Sequence, residues 1–273
     1  MRTLYTKYHD KMQRILKSDS DYGYVDAKVF SNYFVKRIHK EENFKLYNYT
    51  KVHDGFELEN IYLSQNGDMN DIFEGIPGDC YDRVPDYDII EHIKDFCYLK
   101  CFSESENDTI MWGHYADSGK GICIEYDLKL LSQNSKILSS LFPVYYDTER
   151  KLKTLLAECA SEEKNLWQKD AKHLLWIKDK RWKSEKEWRI ILTDDICEYE
   201  CVKKASNLYK ANFDCVTSVT LGPRISDTDE KIVKKEIERL NKTKGKNIRL
   251  YKTELHPTKF LINKNEESSS INT

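Results

Sequence analysis

The chain has 273 residues, 40% of them hydrophobic, enough for one large domain or two small ones with a real core. Charged residues reach 33%, but 44 Lys and Arg against 46 Asp and Glu leave a net charge of -2, which excludes a whole-surface attraction to nucleic acid or anionic membrane. No apolar run approaches the roughly 20 residues that span a bilayer, and MRTLYTKYHDKMQRILK lacks the apolar core of a secretory signal, so the chain reads as cytoplasmic with no membrane partner.

In chain order, residues 1–40 read as a helical N-terminal extension. Tyr8, Met12, Ile15 and Leu16 recur every three to four residues, and VFSNYFVKRI repeats the pattern. KLYNYT (45–50) and NIYLSQ (60–65) read as strands, the second ending in the turn-forming NGDMND. Turns over 75–88 precede a short helix, IIEHIKDF, and then a strand, FCYLKCFS (96–103). TIMWGHYA reads as one or two helical turns capped by Asp108 or Asn107, and GKGICIEYD as a turn leading into a strand. FPVYYD (142–147) is a further strand. Residues 149–177 carry the apolar spacing of a long amphipathic helix, or two in series. EWRIILTD (187–194) and CVTSVTLGP (215–223) read as strands, and Asp227 with Glu230 forms a capping-box pattern before the short helix IVKKEIERL. IRLYKTEL and KFLINK are late strands, and NKNEESSSINT is a polar, disordered tail.

Strands and helices are interspersed without a βαβ rhythm and without a GxGxxG or Walker fingerprint. The expected fold is a single α+β domain over residues 41–262, with a mixed or antiparallel sheet and packed helices. The helical extension (1–40) precedes it and the tail (263–273) follows. The pairs Cys97/Cys101 and Cys197/Cys201 share a CxxxC spacing. They read as reduced structural thiols, not zinc ligands or disulfides, because apolar strand-like sequence surrounds the first pair and the partners of a zinc ribbon are missing.

Four constellations carry chemistry, each with a structural alternative. Trp112, His114 and Tyr115 place an imidazole among aromatics. That can build a nucleotide pocket, or the rings can plug the core. In GKGICIEYD the glycines lead into a strand, a weak phosphate cradle, and Glu125 shares a strand face with Cys123 and Asp127. In KSEKEWRIIL, strand periodicity puts Glu185, Glu187 and Arg189 on one face. That is either a catalytic carboxylate held ionised by a guanidinium or a solvated sheet edge. In NDIFE, Asn70 and Asp71 cap a turn, Phe73 anchors it and Glu74 is presented at a fixed place.

The order of these motifs is more telling than any one of them. LYNYT, NDIFE, LKCFSESENDTIMWGHYADSGKGICIEYD, then Lys180, Trp182, Glu185, Glu187, Trp188 and Arg189, then VTLGPRIS, resembles the bacterial family known as domain of unknown function 2971, from about Leu46 to about Ile225. The chain departs from the family pattern at Ile72, where a proline is common, and at Asn48, where a basic residue is common. The family name supplies no activity. In layout, the opening strand with Tyr49 and the late strand with Glu-x-Glu are similar to ADP-ribosyltransferases. That likeness implies NAD as cofactor, with Glu187 stabilising an oxocarbenium-like state, Glu185 orienting the acceptor and Arg189 pairing with Glu187. No His or Arg stands on the first strand, so a buried His114 would grip the cofactor.

Three readings follow. The first is an intracellular effector with a toxin or phage-defence (antiviral) role that consumes NAD. It binds the cofactor through Tyr49, Trp112, His114, Tyr115, Asn70, Asp71 and Glu74 and acts through Glu187, Glu185 and Arg189. In this reading Trp112 and His114 line one pocket with Tyr49. The second is a non-catalytic module that senses a nucleotide or a phage product, with Glu187 a salt-bridge partner. The third is a metal-dependent nuclease using Asp71, Glu74, Glu125 and Glu187, although no compact D-x(n)-E-x-K core is present. The sequence names no protein or nucleic-acid target.

Overall fold

A computed structural model describes residues 35–36, 38–40, 44–65, 71, 73, 97–148, 175, 177–205 and 208–266. Among them are β1 Leu46–Thr50, β2 Asn60–Gln65, β3 Cys97–Ser103, α1 Thr109–Tyr115, β4 Ile122–Tyr126, β5 Leu141–Pro143, β6 Tyr145–Asp147, β7 Ile177–Asp179, β8 Glu187–Thr193, α2 Asp194–Glu200, β9 Cys201–Ala205, β10 Leu208–Asn212, β11 Val216–Leu221, α3 Asp227–Lys244, β12 Arg249–Leu255 and β13 Ile262–Glu266. The fold has the expected class: a single α+β domain with a mixed sheet. Within it the chain forms two compact units: Met1–Glu42, Ile61–Cys101 and Ser132–Ala211 in the first, Asn43–Asn60, Phe102–Leu131 and Asn212–Thr273 in the second.

In the second unit the strand order is β13-β12-β11-β4-β1, continued by the end of β3. β11 and β12 run parallel and the other neighbours antiparallel. Tyr47 stands opposite Glu125 and Tyr49 opposite Cys123, so these four side chains share a face. On that face α1 adds Met111 and Trp112 to a cluster with Tyr47, Tyr49, Ala116 and Cys123. α3 buries Val233, Ile237 and Leu240, each worth about 1.5–3 kcal/mol when removed from water. A Glu230–Lys252 ion pair at 2.8 Å ties α3 to β12. Gly121 and Gly222 hold the backbone close together. A Cβ would lie 2.2 Å from the Thr50 carbonyl oxygen at the first and 2.3 Å from that of Gly119 at the second, and no side chain fits either place.

The first unit orders its strands β5-β8-β3-β2-β10-β9, with β6 and β7 as a separate parallel pair. All seven residues of β8 are buried, so neither of its faces is a solvated edge. Tyr98 and Tyr209 meet edge to face at 4.6 Å.

Several expectations change. α3 is longer than the predicted short helix, and its cap is Ser226, whose Oγ accepts the Asp229 N–H at 3.1 Å, one residue before the predicted Asp227 cap. β13 continues to Glu266, into the tail predicted to be disordered from 263, because Asn263, Lys264, Asn265 and Glu266 find partners on β12. FPVYYD is two strands, β5 and β6. α2, β9 and β10 were not predicted, since CVKKA is exposed and carries no apolar alternation. The predicted helix over 89–96, residues 149–174 of the helix predicted over 149–177, and residues 1–34 of the N-terminal extension lie outside the described residues; Leu175 lies in a turn and Ile177 opens β7, so that helix does not reach 177. No described helix is long and apolar enough to cross a membrane.

Candidate functional site

The predicted catalytic residues form a buried charge cluster in the first unit. Glu185 is not on β8: it ends the 3-10 turn Lys180–Glu185, and a left-handed Lys186 (φ 45) separates it from the strand. The strand face predicted for three residues therefore holds only Glu187 and Arg189. Lys178 on β7 brings the acids together, donating to Glu185 Oε2 at 2.7 Å and to Glu187 Oε2 at 2.9 Å. Arg189 grips Glu187 with two bonds, Nε to Oε1 at 2.7 Å and Nη2 to Oε2 at 3.0 Å, and donates Nη1 to the Leu175 carbonyl at 2.5 Å. The Glu187 backbone N–H donates to the Tyr146 hydroxyl at 3.0 Å, and the Trp182 ring lies 5.0 Å from Lys178 Nζ. Burial pushes the Glu187 carboxyl up, but the Arg189 and Lys178 charges more than reverse that and hold it below the usual carboxylate range. Both carboxylate oxygens are taken by cations, and the side chain is 6% exposed.

Asp71 is buried, and its Oδ1 accepts the Phe73 N–H at 3.0 Å, which is the turn-cap reading. Phe73, expected to anchor this turn, is 41% exposed. Asn70 and Glu74 lie outside the described residues.

The predicted cofactor-binding aromatics belong to the second unit. Tyr49 and Trp112 meet edge to face with centroids 5.1 Å apart. The Tyr49 hydroxyl donates to the Ser105 carbonyl at 2.9 Å and accepts the Asp108 N–H at 3.2 Å, while Trp112 Nε1 donates to Asn107 Oδ1 at 3.2 Å. The edge of α1 is thus latched to β1, and the rings are core. Asp108 is the helix cap, its Oδ1 accepting from Ile110 at 2.8 Å. Tyr115 packs against the same cluster. His114, expected to be buried, is exposed, 6.2 Å from the Tyr115 ring. Positions 111, 112 and 115 face the sheet, so position 114 on the same short helix points away. Glu125 is buried on the shared face, accepting from Thr217 Oγ1 at 2.5 Å and from the Tyr47 hydroxyl at 3.3 Å.

Beside this core lies a cavity of about 730 Å³, within the range of small-molecule sites. One side is the α1 face of Thr109, Trp112 and Gly113, residues spaced three and four apart. Ser118 and Gly119 form the second side, Pro223 and Arg224 the third, and the β12–β13 connection with its flanks, Leu255 to Ile262, the fourth. Tyr49 and His114, expected with Trp112 in one pocket, are not in its lining. The backbone beside it is strained: Asp117, Ser118 and Gly119 are successively left-handed (φ 49, 57 and 82). The His256–Leu261 loop is closed by His256 N–H to Leu261 O at 2.9 Å and braced by His256 Nδ1, which accepts the Thr258 and Lys259 N–H groups at 3.1 Å each. Arg224, Lys259 and Phe260 are exposed at this site. Reading KFLINK as a strand hid Lys259 and Phe260; the signal of a loop was Pro257, which a paired strand disfavours, just ahead of the apolar Phe-Leu pair.

Residues 111–190 match the family described as "Protein of unknown function (DUF2971)". The chain carries a DUF2971 region. That region contains Trp112, Gly113 and the whole of the Lys178–Glu185–Glu187–Arg189 cluster, and it stops short of Arg224 and the 255–262 wall. No curated protein and no solved structure matches the chain.

Proposed function

We infer that this chain is a ligand-binding module whose site is the cavity beside Trp112, sized for a nucleotide, and that the buried carboxylates of the first unit are structural. Gly113 carries the reading. A glycine inside a helix destabilises it by about 0.5–1 kcal/mol relative to alanine. Gly113 is exposed on α1, and a Cβ built on it meets nothing within 4 Å, so no packing demand explains the missing side chain. Gly121 and Gly222, in contrast, are required sterically. What the bare position does is leave the cavity open. The left-handed Asp117 and Ser118 support the same reading, because strain of this kind concentrates at binding sites. Against chemistry at Glu187 stands its saturation: both oxygens are held by buried cations.

The test is Gly113→Leu, titrated calorimetrically with NAD, ADP-ribose, ATP and GTP beside the wild type. The wild type should bind at least one of them. The variant should fold with an unchanged or higher melting temperature and bind at least tenfold more weakly. A folded Gly113→Leu protein with wild-type affinity, or a wild type that binds none of the four, overturns the reading. Nicotinamide release in the NAD arm reports turnover, the expectation that Glu187 would carry.

A further inference from the structure

Resting on that reading, we propose that the ligand is a nucleoside phosphate, that Phe260 is its stacking platform, that Arg224 and Lys259 receive its phosphates, and that His256 is the positioning residue for both Phe260 and Lys259. The ring platform follows by elimination. Trp112 lines the cavity but is 2% exposed, its edge set against Tyr49 and its Nε1–H taken by Asn107. It can close one side but cannot offer a face. Phe260 is the lining aromatic that can, being fully exposed in the loop that forms another wall. Stacking is also tolerant of which base is presented, since every base has a π-face.

The sign of the ligand follows from the lining. In a chain whose acids outnumber its bases, 46 to 44, the cavity lining holds two permanent cations, Arg224 and Lys259, and no carboxylate. Among the described residues neither cation makes an ion pair, so both are available to an anion. Arg224 is fixed at its root, where its backbone N–H donates to the Gly119 carbonyl at 2.9 Å. That bond ties the cation to the strained Asp117–Gly119 turn.

His256 organises the loop. With Nδ1 accepting the N–H groups of Thr258 and Lys259, the imidazole acts as an internal cap that fixes the turn presenting Lys259 and Phe260. An asparagine can make the same capping bonds through its side-chain oxygen; an alanine cannot.

The experiment splits the ligand. ADP, adenosine and inorganic pyrophosphate are titrated into the full chain carrying Phe260→Ala, Arg224→Glu, Lys259→Glu, His256→Ala or His256→Asn, with Gly113→Leu as the blocked control. The proposal expects ADP to bind at least tenfold more tightly than either fragment. Phe260→Ala weakens ADP and adenosine but not pyrophosphate. Arg224→Glu and Lys259→Glu weaken ADP and pyrophosphate but not adenosine. His256→Ala weakens all three, and His256→Asn restores them. If Gly113→Leu blocks binding while Phe260→Ala and the charge reversals leave ADP affinity unchanged, the cavity stands as a site and this assignment falls. If no compound binds the wild type, the binding reading itself falls.

Discussion

Glu187→Gln separates a structural cluster from a catalytic one. The substitution keeps shape and removes one of two negative charges facing two cations, Lys178 and Arg189, which are 3% and 0% exposed at the side chain. Three charge-assisted bonds are lost or weakened: Arg189 Nε at 2.7 Å, Arg189 Nη2 at 3.0 Å and Lys178 Nζ at 2.9 Å. The new amide can offer its oxygen to Arg189, but its NH₂ then meets the Lys178 ammonium, donor against donor. Removing one partner of a buried pair costs about 3–5 kcal/mol, because the remaining charge stays buried without compensation. In a chain of this size that is a fall on the order of 10 °C in melting temperature. Urea titration followed by tryptophan fluorescence measures it directly, since the Trp182 ring lies 5.0 Å from Lys178 Nζ and Trp188 is buried on β8 beside Glu187. Adding Lys178→Met restores charge balance, so the double variant should be less destabilised than the sum of the two single changes. A Glu187→Gln protein within about 0.5 kcal/mol of wild type refutes the structural assignment, since only substitutions away from such networks are that mild. If that stable protein had also lost a wild-type NAD turnover, the catalytic reading would replace it.

The remaining predictions concern acid, caps and glycines. Glu187 is held below its ordinary range in the fold, so its stabilisation is present above the unfolded carboxylate value of ~4.3 and is lost as pH falls through the depressed folded value. Acid titration of stability should therefore be shallower in Glu187→Gln than in wild type. Ser226→Ala removes the acceptor for the Asp229 N–H and should cost about 1 kcal/mol in chemical denaturation. Gly222→Ala forces a Cβ against backbone oxygens of Gly119 and Gly121 and should destabilise by at least about 1–3 kcal/mol, whereas Gly113→Ala should stabilise by about 0.5–1 kcal/mol; one set of thermal melts checks both.

Where side-chain pattern alone decides an element, the sequence was legible. NIYLSQ is the strand Asn60–Gln65 as predicted, and TIMWGHY is a helix capped by Asp108. Period and caps are local signals. Glu185 was legible as a partner of Glu187 but not as a turn residue, because the left-handed Lys186 that redirects the chain is a non-glycine and gives no sign in sequence. Lys178 was missed altogether. It sits on a three-residue strand whose pairing with β6 is parallel and non-local, and only that pairing brings an ammonium between the two acids. Without Lys178, two acids would face one cation: Arg189 holds both Glu187 oxygens but leaves Glu185 uncompensated. The ammonium bridges the two acids and makes the cluster neutral.

The motif WGHY drew notice for its rings and its imidazole, and its least conspicuous residue, Gly113, is the one that packing does not account for. Trp112 and Tyr115 pack the core and His114 faces away, which are outcomes a helix against a sheet produces without any ligand. Gly113 has no such account. In sequence it is the same letter as Gly121 and Gly222, and nothing local distinguishes a glycine that backbone contact demands from one that costs helix stability for no packing return. Only the space around each Cβ tells them apart: 2.2 Å and 2.3 Å to the nearest atom at Gly121 and Gly222, and nothing within 4 Å at Gly113. On the ligand-binding reading, the helix stability that Gly113 costs is offset by the open volume against which it stands, and that volume is where the reading is tested.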